Sequence, residues 1–213
     1  MPPANLKRGG ARLKRDRESW QLTYKNCDDL VRRSLDAWRA GYPLNRFITL
    51  AWGKAGIDAD RATGATGQFI TKAREWMRSH GYPITPWVWV QETGDVFGQH
   101  AHILLHVPPE LDDLFRPMPR RWAKAFTGGK YIKGHVDAPK LGAAKSASYN
   151  PAPYDAQLRG RLAYMLKNAP EEWAEPLGLA FYISKPWGQR SKVIGKRAGY
   201  WQTRATGGGV KKA

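Results

Sequence analysis

Cysteine is almost absent from this 213-residue chain, which contains only Cys27. A single thiol excludes an internal disulfide and any cysteine-rich zinc site. Long apolar runs are also absent, and no stretch has the pattern of a signal peptide or a membrane span. The Walker-A pattern of nucleotide-hydrolysing motors is missing too. We therefore expect a cytoplasmic protein that uses neither a membrane nor a nucleotide cofactor.

Acidic residues are scarce at both ends of the chain, and the formal net charge is +17. Residues 1–17 contain six basic side chains and one acidic one, whereas residues 185–213 contain eight basic side chains and no acidic one. We interpret 1–17 as a basic disordered arm, 18–184 as the folded domain and 185–213 as a basic glycine-rich tail. Such arms indicate a polyanionic partner, most simply nucleic acid bound through its phosphates.

The spacing of apolar residues predicts helices interleaved with a few short strands. One strand at 46–52, a hairpin at 87–107 and a strand at 131–136 lie among four helical stretches, at 19–40, 57–80, 110–126 and 154–168. Prolines are expected to interrupt the third of these helices. This order predicts an α+β sandwich.

The hairpin segment carries a candidate metal site. Two apolar runs flank a turn between Gly94 and Gly98, so His100 and His102 share one face of a strand and Glu92 lies across from the first histidine. Two imidazoles and a carboxylate can hold a divalent ion with positions left open for a substrate oxygen. His106 has the same strand parity and is the reserve ligand. The alternative is a pair of half-buried structural histidines.

The last predicted helix carries a candidate nucleophile. Tyr164 and Lys167 are three residues apart and share a helical face. A tyrosine hydroxyl beside a metal ion can attack a phosphodiester and form a phosphotyrosine link. The lysine would add positive charge next to the phosphate. Alternatively, Tyr164 is a core aromatic residue whose hydroxyl reaches the surface.

Three stretches together resemble the HUH endonuclease superfamily, and within it the initiators of rolling-circle replication. The stretch 47–52 (FITLAW) resembles the first motif, 98–107 (GQHAHILLHV) the histidine motif, and 162–168 (LAYMLKN) the tyrosine motif. The tyrosine follows the histidines, which is the order of the replication initiators rather than of the relaxases. Asn168 stands where a second tyrosine would be, so the chain resembles a single-tyrosine member.

The resemblance implies a central antiparallel sheet flanked by helices, related to the ferredoxin fold, and a catalytic domain over 18–184. It implies a site-specific nickase that acts on single-stranded DNA or a DNA hairpin at an origin, with a host helicase as a further partner. His100, His102 and Glu92 would hold Mn²⁺ or Mg²⁺, and Tyr164 and Lys167 would be catalytic. We expect DNA contacts from a set of basic and aromatic side chains: Arg46, Trp52, Lys185, Arg190, Lys192, Lys196 and Arg197.

Two alternatives stay open from the sequence. A transposase or relaxase of the same superfamily would use identical chemistry on a different DNA. A basic nucleic-acid-binding protein without catalysis would explain the charge and the aromatic residues, and it would make the histidines structural. Metal dependence of a covalent DNA adduct separates the enzymes from the binding protein.

Overall fold

The computed structural model describes residues 22–94 and 97–183, together with the backbone of 196–200. Helices and strands follow one another much as the apolar spacing predicts. The helices are α1 (Tyr24–Arg39), α2 (Ala59–Ser79), α3 (Asp112–Phe115), α4 (Met118–Lys124) and α5 (Pro151–Met165). The strands are β1 (Arg46–Ala51), β2 (Trp87–Gly94), β3 (Gly98–Leu105), β4 (Val136–Asp137) and β5 (Lys196–Tyr200).

The five strands form one antiparallel sheet in the order β4-β1-β3-β2-β5. The hairpin partners β2 and β3 pair from Trp87 opposite Leu105 to Gly94 opposite Gly98. Strand β1 pairs with the other edge of β3. The histidine strand β3 is therefore the central strand, and its backbone is paired on both sides. The predicted α+β class, with an antiparallel sheet and helices, is confirmed.

Each face of the sheet is covered by its own helical layer. Because side chains alternate along β3, Leu104 points to one face while Ile103 and Leu105 point to the other. The first face packs against apolar residues of α1 and α5, including Leu30 and Leu162. The second packs against α2 and the segment that contains α3 and α4. The face that carries the candidate metal ligands is thus the face that α5 covers.

Local capping defines where the two long helices begin. Asp58 accepts a hydrogen bond from the backbone N–H of Arg61 at the start of α2. Thr23 and Asn26 form a reciprocal capping box at the start of α1. These caps satisfy backbone donors that would otherwise have no partner within the helix.

The predicted interruption of the third helix is confirmed, because Pro117 and Pro119 lie at the junction between the short helices α3 and α4. Two other boundaries differ from the sequence predictions. The strand predicted over 131–136 contributes only Val136 and Asp137 to the sheet. Strand β5 lies within the predicted basic tail, and it pairs with β2 along the sheet edge. Across the described ranges, no helix has both the length and the apolar character that crossing a bilayer requires.

Candidate metal centre and nucleophile

The central hairpin brings a carboxylate and two imidazoles together on one face of the sheet. Glu92 lies directly opposite His100 in the β2–β3 register, and His102 follows on the same face. This arrangement is the one that the sequence predicts. All three side chains are buried, and the glutamate is only 1% exposed. A carboxylate so far from water requires compensating partners.

The two histidines converge on a single oxygen of the carboxylate. Nε2 of His102 lies 3.0 Å from Oε1 of Glu92, and Nε2 of His100 lies 3.2 Å from the same atom. The three potential ligand atoms lie within 4.8 Å of one another. Two nitrogens and one oxygen at this separation could hold a divalent ion, although these donors do not select one metal.

The other nitrogen of each imidazole is bound to a neighbouring group. Nδ1 of His100 donates to the carbonyl oxygen of Gly98 at 2.9 Å. Nδ1 of His102 lies 3.0 Å from the hydroxyl of Thr49, which occupies the opposite position on β1. When both Nδ1 atoms carry the proton, both Nε2 atoms turn a lone pair toward the centre of the cluster. Such orienting contacts are typical of the surroundings of metal-bound histidines.

Burial also keeps His102 in the form that binds a metal. Loss of hydration lowers the pKa of His102 to about 4, against the opposing effect of Glu92. The ring is therefore neutral at pH 7. Its Nε2 is buried and faces Oε1 of Glu92 at 3.0 Å, without a hydrogen bond to any residue that the structure describes. A buried, neutral imidazole with an unused lone pair fits a metal ligand and is costly without one.

Helix α5 places the candidate nucleophile against this cluster. The ring of Tyr164 lies 5.1 Å from the ring of His102, centroid to centroid, and Tyr164 is 36% exposed. Lys167 contacts Oε1 of Glu92, and its ammonium lies 4.4 Å from the centroid of the Tyr164 ring. The helix ends at Met165, so Lys167 reaches the cluster from the turn that follows rather than from the helix itself.

Sequence reasoning missed three residues that contribute to this site. Asn168 donates to Oε2 of Glu92 at 3.2 Å, the carboxylate oxygen that the histidines do not approach. Thr49 orients His102, which strand parity within the FITLAW stretch could have indicated. Arg161 lies three residues before Tyr164 on α5, with its guanidinium carbon 4.9 Å from the centroid of the Phe47 ring. The i to i+3 spacing of Arg161 and Tyr164 was the available signal for a second cation.

Two residues predicted to contact DNA lie instead in the core, which corrects both predictions. Arg46 is 3% exposed and is paired with Asp112. Burial lowers its pKa to about 10, which leaves it protonated at neutral pH. Trp52 is fully buried, and its indole N–H donates to the hydroxyl of Thr66 at 2.8 Å. Neither side chain is available to a phosphate or a base.

The predicted contacts from the tail fall largely outside what the structure describes. Lys185, Arg190 and Lys192 lie outside the described residues. Lys196 and Arg197 belong to strand β5, where they are opposite Glu92 and Gln91 in the register. The edge strand therefore ends next to the metal cluster, and those two DNA contacts stay predictions.

The reserve ligand His106 and two further tyrosines near Tyr164 in the sequence, Tyr149 and Tyr154, do not belong to the cluster. His106 is at the far end of β3, where its Nδ1 donates to the carbonyl oxygen of Pro43 at 2.8 Å. The prediction of His106 as a reserve metal ligand is therefore wrong. Tyr154 is fully buried, and its hydroxyl donates to the carbonyl oxygen of Leu44. Tyr149 is 79% exposed. Among the tyrosines that the structure describes, Tyr164 is the one whose ring contacts a histidine of the cluster, in an edge-to-face arrangement.

No protein-family model, no curated protein and no solved structure matches this chain. The site is therefore characterised by its own geometry. The chain forms an α+β protein with an antiparallel sheet and a buried Glu92–His100–His102 group that could hold a divalent metal ion.

Proposed function

We propose that this protein is a metal-dependent endonuclease that cuts single-stranded DNA through a covalent phosphotyrosine intermediate. The observation that carries the proposal is the contact between α5 and the central strand. It places Tyr164 against His102, while Lys167 bridges the tyrosine ring and Glu92. A nucleophile, a cation and a metal-binding group are the parts that phosphodiester cleavage by a side chain requires.

The donor set fits a divalent ion bound by Glu92, His100 and His102. The unused lone pair on the buried Nε2 of His102 is the feature that supports this fit. Mn²⁺ or Mg²⁺ would polarise the scissile phosphate and offset the charge that develops on its oxygens. Thr49 and the carbonyl of Gly98 hold the two rings in orientation, so the site is formed before a ligand arrives.

Tyr164 is the proposed nucleophile. Its hydroxyl oxygen would form a bond to phosphorus as the bond between phosphorus and the 3′-oxygen breaks. The phenol proton leaves to water, and the released 3′-oxygen takes one up. The products are a 5′-phosphotyrosine and a free 3′-hydroxyl. The ordinary phenol pKa of about 10 makes nearby positive charge important for this step.

Two cations of this chain are placed to supply that charge. Lys167 contacts the face of the Tyr164 ring and would stabilise the phenolate or a phosphate oxygen. Arg161, one helical turn earlier, lies over Phe47 and forms no ion pair with any described carboxylate. A guanidinium in this position can bind a phosphate through two parallel hydrogen bonds.

The order of the motifs supports initiation of rolling-circle replication as the biological role. The histidine strand precedes the tyrosine helix, as in the HUH replication initiators that the sequence resembles. Asn168, in the place of a second tyrosine, donates to Glu92 and so supports a ligand rather than a second cleavage. An origin in single-stranded or hairpin form would then be the substrate, with a host helicase unwinding the duplex.

The test is covalent-adduct formation on a denaturing gel. Oligonucleotides tiled across the DNA next to the coding sequence would carry a label at the 3′ end, because the 3′ fragment is the one joined to tyrosine. We expect a shifted, Mn²⁺-dependent band that EDTA abolishes and that Tyr164→Phe lacks. Tyr149→Phe is the matched control, since it removes an exposed hydroxyl outside the site. An adduct that persists in Tyr164→Phe would refute the assignment.

A further inference from the structure

A second basic surface lies on the opposite side of the sheet from the histidines. Between Leu114 and Val136 the chain has six basic residues and no acidic one. This internal segment is basic in addition to the two basic ends of the chain. A groove of about 640 Å³ is formed there, and its lining includes Asp113, Arg116, Arg120, Arg121, Lys124 and Tyr131.

The cations of this groove are exposed and outnumber its one carboxylate, that of Asp113. Arg116, Arg120, Arg121 and Lys124 are all exposed, and none forms an ion pair within the part of the chain that the structure describes. On α1 and α5, by contrast, carboxylates pair with basic side chains, as Asp155 does with Arg159. A concave surface lined by four cations and one carboxylate keeps an excess of positive charge and attracts an extended polyanion.

An aromatic ring within the same groove indicates what kind of polyanion fits. Tyr131 is 49% exposed, and the guanidinium carbon of Arg120 lies 5.8 Å from the centroid of its ring. Exposed aromatic rings beside cations bind single strands, because an unpaired base can stack on the ring while the cations contact phosphates. A base within a duplex has no free face to offer.

One lysine contacts both the hairpin tip and the loop that follows Tyr131. The ammonium of Lys54 is 4.7 Å from the ring of Phe97 at the hairpin tip, and that ring lies 5.7 Å from the ring of His100. The same ammonium is 3.2 Å from the position that a β-carbon would take at Gly134, three residues beyond Tyr131. Lys54 thus adds a cation between the hairpin tip and the loop that follows Tyr131.

We infer that the groove lined by Arg116, Arg120, Arg121, Lys124 and Tyr131 is a second binding site for single-stranded DNA. It holds a segment of the strand away from the cleaved phosphate. The inference rests on the proposed function only in taking the occupant to be the strand that Tyr164 cuts. The groove binds through phosphates and one stacked base, so it provides affinity without reading a sequence.

The first test measures how binding depends on salt. All proteins carry Tyr164→Phe so that the DNA stays intact, and the probe is a labelled 30-nucleotide oligothymidylate followed by fluorescence anisotropy. The groove variant has Arg120→Gln, Arg121→Gln and Lys124→Gln. We expect its dissociation constant to rise at least about tenfold and the slope of log K against log salt to fall by about 2, since each single-strand phosphate contact contributes about 0.7.

A matched control removes the same charge from another helix. It carries Arg61→Gln, Arg74→Gln and Arg78→Gln, three exposed cations of α2. We expect its affinity to stay within about threefold of the parent protein. Equal weakening in the groove and control variants would overturn the inference, because binding would then follow net charge alone. A parent protein that does not bind the oligonucleotide would overturn it as well.

The second test isolates stacking, and circular dichroism melting establishes that each variant is folded. Tyr131→Ala should weaken binding of the single strand about fivefold or more, whereas Tyr131→Phe, which keeps the ring, should bind within twofold of the parent. A 30-base-pair duplex should not respond to either change. Equal affinities of the Ala and Phe variants for the single strand would overturn the stacking and leave only a polyanion surface.

The two proposals fail separately. If no protein forms an adduct with DNA while these differences in affinity persist, the tyrosine chemistry is refuted and the groove stands. If the adduct forms as expected and the groove variant binds like the control variant, the groove is refuted and the tyrosine chemistry stands.

Discussion

Replacing Lys167 with glutamine should tighten the binding of a divalent metal ion while slowing the formation of the covalent adduct. The ammonium of Lys167 contacts the same oxygen of Glu92 that the two histidines approach. It therefore repels any cation bound there. The same ammonium lies over the ring of Tyr164, where it assists the nucleophile.

The expected gain in metal affinity follows from Coulomb's law. A divalent ion and a unit charge about 4 Å apart repel by about 2 kcal/mol in water and by about 8 kcal/mol at an effective dielectric constant of 20. The side chain of Lys167 is 14% exposed, so the screening lies between these limits. A value near the lower end, about 2 kcal/mol, corresponds to about thirtyfold tighter binding.

The assay is a calorimetric titration of the protein with Mn²⁺ at pH 7. Arg161→Gln is the matched control, because it removes a cation near Tyr164 that contacts Phe47 rather than Glu92. We expect the control to slow adduct formation with little change in metal affinity. Metal binding that is weaker or unchanged in Lys167→Gln would refute the placement of the ammonium beside the cation site.

Three further predictions concern the core and pH. Trp52→Phe should reduce the free energy of unfolding by about 1–3 kcal/mol, because the hydroxyl of Thr66 loses a buried donor, and affinity for DNA should not change. Tyr154→Phe should cost about 1 kcal/mol in urea denaturation and leave the adduct intact. In EDTA, stability should fall as pH drops from about 6.5 to 4, since burial lowers the pKa values of His102 and His135 and only the unfolded chain takes up protons.

Each of these has an outcome that contradicts it. If Trp52→Phe bound DNA more weakly at an unchanged free energy of unfolding, the indole would have to contact DNA. Loss of the adduct in Tyr154→Phe would indicate that Tyr154, and not Tyr164, is the nucleophile. For the pH prediction, His102→Gln is the control, because it removes a buried imidazole whose pKa is lowered to about 4 and should flatten the dependence by up to about 3 kcal/mol.

The central part of the site was predictable because it depends on local rules. Strand alternation fixes the relation of His100 to His102, and the closure of a short hairpin fixes which residue faces them, so Glu92 followed from the sequence alone. The distance from this hairpin to Tyr164 is a tertiary property. Only the resemblance to a known arrangement of motifs brought those residues together in the prediction.

The burial of Arg46 shows where sequence reasoning fails. An arginine at the start of a strand is expected at the surface, and the residue that makes burial tolerable, Asp112, is far away along the chain. The burial of Trp52 was missed for the same reason, because its hydrogen-bond partner Thr66 lies on another element. Strand β5 was missed because its composition is basic and contains glycine, so its place in the sheet depends on pairing with β2.

The most direct test of the proposed chemistry is the location of the nucleotide on the protein. The adduct formed in Mn²⁺ would be digested with nuclease and trypsin and then analysed by mass spectrometry. Cleavage after Arg161 and Lys167 releases the peptide 162–167, which contains Tyr164 as its only tyrosine. The account predicts a 5′-linked nucleotide on that residue. A nucleotide on any other residue, or cleaved DNA with no modified peptide, would contradict it.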